Sequence, residues 1–455
     1  MKLLSAFLLC LAFSVLGVQA QNLPLRTVTT LPAQIDETSG LIMTGPNTLW
    51  SHNDSGGDPK LYAFDTTGTL LRTLVIKGVS NIDWEELTQD AAGNVYVGDF
   101  GNNSNNRTNL MIYKIPNPDN VVGDSVVPEI IRFSYPDQVS FPPTDSLRYF
   151  DMEGMVAVGD SLYLFSKNRT DPFDGLTKSY SLPQDSGTYV ATLLDSVVTC
   201  SSSMVNCWVS AAGISPSAEN LVLLAYGKLW IYSCFEGTDF FGGGILERQI
   251  AFSQTEAVVW KDATHIYITD ELLNGIFGRN LYEADLGPYI ALPNANLGAD
   301  TTVFVGDSIS IGVPAQFGAS YSWNTGETSE SITVNGASGG GTFILQVTAI
   351  NGCQATDTIV VSSSVGLATS ADAIDLRLFP NPFSQATNFH LRASPGTQFQ
   401  WRLINAAGKV MERGLGQMNN IGEFKKEIGK DCPAGFYFLE IESQNWRKTK
   451  KLLKG

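Results

Sequence analysis

SGLIMTGPNTLWSHND (residues 39–54) joins one short apolar strand to another through a Gly-Pro-Asn turn, and the pattern recurs four times. The later copies are EELTQDAAGNVYVGD (85–99), EGMVAVGDSLYLFS (153–166), AGISPSAENLVLLAY (212–226) and EAVVWKDATHIYITD (256–270). Alternating apolar segments separated by Gly, Asn and Asp turns predict antiparallel hairpins. Copies starting at 39, 85, 153, 212 and 256 are spaced for one four-stranded sheet each, with insertions in the second and third. Repetition of that length predicts a β-propeller of five or six blades over residues 21–290, because a radial array protects the edges of small sheets.

Aligning the repeats on their apolar strands stacks Ser39, Glu85, Glu153, Ala212 and Glu256 in one column. A second column holds Asn53, Asp99, Ser166, Tyr226 and Asp270, flanked by Asp54, Lys167 and Glu271. In a propeller, equivalent positions of the inner strands face a common axis, so the carboxylates of the first column converge. Like charges at close range raise one another's pKa and call for a cation or for hydrogen-bond donors. Glu85, Glu153, Glu256, Asp99 and Asp270 are therefore the candidate metal ligands, with Asn53, Asp54 and Glu271 as neighbouring ligand-binding groups. A set of oxygen donors suits Ca2+ or Mg2+ as cofactor rather than zinc. The competing reading is structural: such carboxylates also accept backbone N–H bonds and cap turns.

Charge limits the partners. Residues 21–372 carry 15 Lys/Arg against 38 Asp/Glu, whereas residues from 373 onward carry 13 against 7. So acidic a body repels the phosphates of nucleic acids and anionic lipids. Residues 1–20 have one cation, Lys2, then an apolar run and Val18-Gln19-Ala20, as in a cleaved secretory signal. No later stretch approaches the roughly 18 apolar residues that cross a bilayer. The expected product is secreted or displayed at the cell surface.

Export permits disulfides. Of the cysteines after residue 20, Cys200 and Cys207 are the nearest pair, Cys234 is able to replace either, and the odd count leaves at least one thiol over. Catalytic signatures are sparse. No GxSxG nucleophile elbow, P-loop or HExxH motif is present, and of His52, His265 and His390 only His52, near Asp54, is placed to serve as a base.

The C-terminal residues LRLFPNPF (376–383), QWRLINAAGKVMERG (400–414), GFYFLEIES (435–443) and RKTKKLLKG (447–455) resemble the type A C-terminal sorting domain of type IX secretion substrates in Bacteroidota. The resemblance implies a small β-sandwich over residues 374–455, the type IX machinery as partner, and removal of the domain after export. Residues 291–363, with YSWNTGETSESITV (321–334) and GTFILQVTAINGCQATDTIVV (341–361), resemble PKD-like and Ig-like modules and imply a β-sandwich spacer. Members of that group often carry a second Cys near the place held here by Phe304, so Cys353 is expected to be unpaired. Residues 364–373 form a small, polar linker. Residues 51–68 and 83–115 look like the first blades of exported propellers distantly similar to phytase-like esterases and gluconolactonases.

Together these readings predict an all-β exported protein whose propeller binds a ligand or divalent cation. The alternatives are a metal-dependent esterase, lactonase or phosphatase at the channel mouth, and an adhesive platform for an unknown surface partner.

Overall fold

The computed structural model describes residues 22–200, 203–273, 275–364 and 374–455. The expected signal peptide (1–20) and most of the expected linker lie outside the described residues. The fold is almost entirely β, as the repeats predict.

Two compact units are present. The first comprises residues up to Thr301 with 308–334 and 340–362; the second comprises 302–307, 335–339 and 363–455. In the first unit each repeat forms one antiparallel meander. The sheets are Thr38–Gly45, Thr48–Asn53, Lys60–Phe64 and Leu70–Ile76; Trp84–Gln89, Val95–Asp99, Leu110–Ile115 and Glu129–Ser134; Asp151–Val158, Ser161–Lys167, Leu176–Pro183 and Thr192–Val198; and Ala211–Ile214, Asn220–Ala225, Lys228–Ser233 and Gly244–Gln249. The fifth takes Thr255–Trp260, His265–Asp270 and Asn280–Asp285 from its own repeat, and its outer strand, Arg26–Thr30, from the start of the chain. Short parallel strands extend the first and second sheets.

The first strand of each sheet neighbours the first strands of the preceding and following sheets, and Thr255–Trp260 neighbours Thr38–Gly45. The apolar core is divided accordingly. Ile42, Trp50, Trp84 and Val97 pack between the first two sheets, Phe100, Ile112, Met155 and Leu164 between the next two, and Val156, Phe165, Leu223 and Trp230 between the third and fourth. Val222, Ile231, Val258 and Ile268 fill the next interface, and Leu41, Phe64, Ala257 and Tyr267 join the fifth sheet to the first. Sheets covered on both faces need apolar side chains on both, which is why strands such as NLVLLA and KLWIYS read as near-continuous apolar runs rather than clean alternations.

Within residues 291–363, Gln354–Ser364, Gly340–Thr348 and Ser320–Trp323 pair in that order, and the buried Trp323 indole donates to the Ser329 carbonyl at 2.9 Å. The second unit carries a three-stranded sheet (Asp375–Phe379, Thr387–Arg392, Glu423–Ile428) and a four-stranded one in the order Val410–Gln417, Gln398–Asn405, Gly435–Ser443, Arg447–Lys454. Phe389, Trp401, Leu403, Leu439 and Ile441 form its core.

The cysteines correct one expectation. Cys200 pairs with Cys207, but Cys353 is not unpaired: it is bonded to Cys234, with 5.8 Å between their Cα atoms and 119 residues between them in sequence. The partner comes from the turn after Lys228–Ser233, not from the module's own first strand. Cys432 is buried and free. Tying off so long a loop contributes about 2–5 kcal/mol, largely by restricting the unfolded chain. In the chain from residue 22 onward, non-reducing peptide mapping is expected to recover a Cys234–Cys353 cross-linked pair, with Cys432 the one thiol alkylated after denaturation. Recovery of Cys353 as an alkylated thiol would contradict this pairing.

Candidate cation site

Four of the five first strands are bulged at the same place. Register shifts fall between Ser39 and Leu41, Trp84 and Glu86, Met152 and Gly154, and Thr255 and Ala257. The residues left without a cross-strand partner are thus Gly40, Glu85, Glu153 and Glu256. A bulge re-aims the side chain of its extra residue, and here the device turns three glutamates out of their ladders. The first repeat is displaced by one from the sequence alignment: Gly40, not Ser39, stands where Glu85 stands. Gly40 has φ 70°, and a Cβ there would lie 2.5 Å from the Leu87 nitrogen, so the bulge at this position requires glycine. The fourth sheet pairs straight from Ala211 to Ile214, without a bulge.

Two of the three glutamates, Glu85 and Glu153, meet further acids, and Glu256 joins neither group. Single oxygens of Asp54, Asp83 and Glu85 lie within 4.8 Å of one another, and so do oxygens of Glu85, Asp151 and Glu153, with Glu85 common to both groups. The groups differ in how they are neutralised. Asp151 accepts from Arg169 at 2.6 Å and from the Asn102 amide at 2.6 Å, and Glu153 accepts from Lys167 at 2.9 Å. Asp54, Asp83 and Glu85 make no ion pair among the described residues. Glu85 is 4% exposed, and its carboxylate makes no hydrogen bond among the described residues either. Gly101 closes over it: a Cβ there would lie 2.1 Å from a Glu85 oxygen and 2.6 Å from the Asp83 carboxyl.

Burial is the main cause of the shifted ionisation of these acids. It raises Asp54 to about 7, with Asp83 adding to the effect, and Asp83 to about 6, with Asp151 adding. Glu85 is pushed well above the carboxylate range by burial and then by Glu153 and Asp54. Glu271, half-buried, rises to about 9 through desolvation and then the charges of Glu256 and Asp54. Glu256 is raised by burial against the pull of Lys167; Tyr226 donates to its Oε1, while Oε2 is buried without a partner.

Other candidates are held elsewhere. Asp99 accepts from the Tyr113 hydroxyl at 2.8 Å, from Arg107 at 2.8 Å and from the Asp83 amide at 3.2 Å. Asp270 accepts from the hydroxyls of Tyr282 and Ser253 and from the Asn280 amide. Both use their oxygens to tie strands together, and neither joins the two acid groups. Asn53 donates to the Gln34 carbonyl at 2.9 Å, while Asn81 donates to the carbonyls of Asn53 and Asp54 and so fixes the start of that loop. His52 is buried edge-on against Trp84, with Nδ1 at 3.0 Å from the Asn53 carbonyl; burial lowers its pKa to about 4 and removes it as a solvent-facing base.

Sequence alignment missed Asp83, Asp151 and Glu86. A signal for two of them was present: Asp83-Trp84-Glu85 and Asp151-Met152-Glu153 place an Asp two residues before the bulged Glu. Glu86 lies deeper. Its Oε1 accepts from the Leu87 amide at 2.9 Å, and its Oε2 reaches across to the Ala212 amide of the fourth sheet at 3.0 Å. Beyond it a cavity of 160 Å³ is lined by Leu41, Leu87, Val156, Ile214, Val258 and Trp260, so one end of the first strands is acidic and the other apolar.

Residues 377–455 match the family Por_Secre_tail, the secretion system C-terminal sorting domain. The C-terminal segment is a type IX sorting domain, and it points to a secreted or cell-surface protein. No curated protein matches the chain. Two solved structures share limited likeness: dimeric latent PorU from Porphyromonas gingivalis (12% identity, 65% of this chain and 31% of that one, TM-score 0.18) and trypsin-activated alpha-2-macroglobulin from Escherichia coli (8%, 62% and 24%, TM-score 0.17). The chain thus spans about a third and a quarter of their lengths, and overlap this low carries no argument about the fold of the body. Among the described residues no helix is long and apolar enough to cross a membrane.

Glu86 supplies the test of this geometry. Glu86→Ala leaves the Leu87 and Ala212 amides without their acceptor and is expected to cost about 2–4 kcal/mol in urea unfolding, with Glu86→Gln losing less. A change below about 0.5 kcal/mol for Glu86→Ala would mean that the cross-sheet bond does not hold the first strands together.

Proposed function

We propose that this is an exported protein whose five meander sheets are the blades of a β-propeller, and that its acidic mouth binds a divalent cation through Asp54, Asp83 and Glu85. The blade reading draws on the cyclic order of the first strands and on the strand from the start of the chain that completes the fifth sheet. The observation carrying the cation reading is Glu85, a buried carboxylate without hydrogen bond or ion pair among the described residues, within reach of two acid groups. Such a group is costly unless it is protonated or neutralised by a cation. Three carboxylate oxygens within 4.8 Å of one another form an oxygen-only donor set. Ca2+ accepts such ligands in flexible geometry whereas Mg2+ demands a near-ideal octahedron, so Ca2+ is the first choice.

The two states are distinguished by pH. Asp54 and Asp83 have folded-state pKa values of about 7 and 6, above their unfolded values. The stability they contribute to the cation-free protein is fully present below the unfolded pKa and is lost as pH rises through 6 to 7. A cation binds the ionised form and reverses that loss. Thermal unfolding is expected to show a large Ca2+-dependent rise in Tm at pH 8, corresponding to about 2.7 kcal/mol at a hundredfold excess over Kd, and a much smaller one at pH 5. Asp83→Asn and Glu85→Gln should abolish the rise. Equal stabilisation at both pH values, or none at pH 8, would refute the cation reading.

A further inference from the structure

We propose that the Lys167 ammonium is a tethered counter-ion standing in a second cation position, and that it limits the acidic mouth to one metal ion. The inference rests on the cation reading above and concerns the other acid group. Oxygens of Glu85, Asp151 and Glu153 lie within 4.8 Å of one another, as do those of Asp54, Asp83 and Glu85, so that proximity alone does not separate the two groups. Their neutralisation does.

Lys167 ends the strand Ser161–Lys167 and stands opposite Asp151 in the ladder, directly beside the bulge that turns Glu153. Its ammonium is 2.9 Å from Glu153 Oε1 and lies over the rings of Trp208 and Tyr226 at 5.6 and 5.7 Å. The residue is only 4% exposed. An ammonium has three donors, and Glu153 is its one hydrogen-bond acceptor among the described residues. Glu256, 6% exposed, faces the same charge; its Oε1 is taken by Tyr226, and its Oε2 is buried with no donor. A full charge bonded to one buried carboxylate, Glu153, and acting electrostatically on a second, Glu256, that keeps an oxygen unsatisfied, stands where a bound metal ion would neutralise the same two acids. Arg169, at 4.5 Å from the Trp208 ring, holds Asp151 in the same way. Because the ammonium is covalently attached, it occupies the position at any external cation concentration.

Calorimetric titration of the full chain with Ca2+ tests this. The wild-type protein is expected to bind one ion, Lys167→Met two, and Lys167→Arg one; adding Glu256→Gln to Lys167→Met should return the count to one. If Lys167→Met fails to fold, Lys167→Gln, which is neutral and able to bond Glu153, should show the second ion. A folded neutral variant that binds a single ion like the wild type would overturn the proposal while leaving the first site intact. One ion in the neutral variant and none in the wild type would uphold the role of Lys167 and remove the Asp54, Asp83 and Glu85 site. None in either would remove both.

Discussion

The arrangement of the first unit depends on how it handles negative charge where the first strands meet. Four bulges at equivalent places send three glutamates out of their ladders, and Asp83 and Asp151 follow two residues ahead of two of them. Ionised carboxylates taken out of water cost several kcal/mol each unless they are paired. The protein meets part of that cost with its own cations, Lys167 on Glu153, Arg169 on Asp151 and Arg107 on Asp99. It leaves Asp54, Asp83 and Glu85 without such a partner. That remainder is what the proposed cation site rests on.

The scaffold around the acids suits the task of holding them. Each sheet is packed on both faces, and the five apolar clusters lie between neighbouring sheets, so a shift of one first strand would disturb two cores at once. Glu86 adds a polar tie across the ring of neighbours, and the strand from residues 26–30 joins the two ends of the repeat region. Rigidity of this kind keeps like charges together against their repulsion, as a preorganised site requires.

Much of this was legible in the sequence because a hairpin repeat is a local signal. The turns in residues 39–54 and 85–99 mark strand ends, and the recurrence of Glu at 85, 153 and 256 marks the bulged column. What escaped was set by register and by distance. A bulge shifts pairing by one residue without altering composition, which is why Ser39 was aligned where Gly40 belongs. Asp99 and Asp270 looked like ligands because no local feature announces that Tyr113 and Tyr282, on the next strand, will donate to them. The bond between Cys234 and Cys353 spans 119 residues, and no spacing rule reaches that far. The sorting domain, by contrast, was readable throughout, since its motifs are contiguous.

That domain points to a secreted or cell-surface protein, the setting in which the proposed cation site is to be tested. Asp54, Asp83 and Glu85 are proposed to form an oxygen cage for one divalent cation. Anomalous diffraction from crystals grown with Tb3+ as a Ca2+ substitute tests it directly. A single strong peak about 2.3–2.6 Å from an oxygen of each of the three residues is expected. A difference map with no peak among them, or with those oxygens hydrogen-bonded to backbone amides instead, would contradict it.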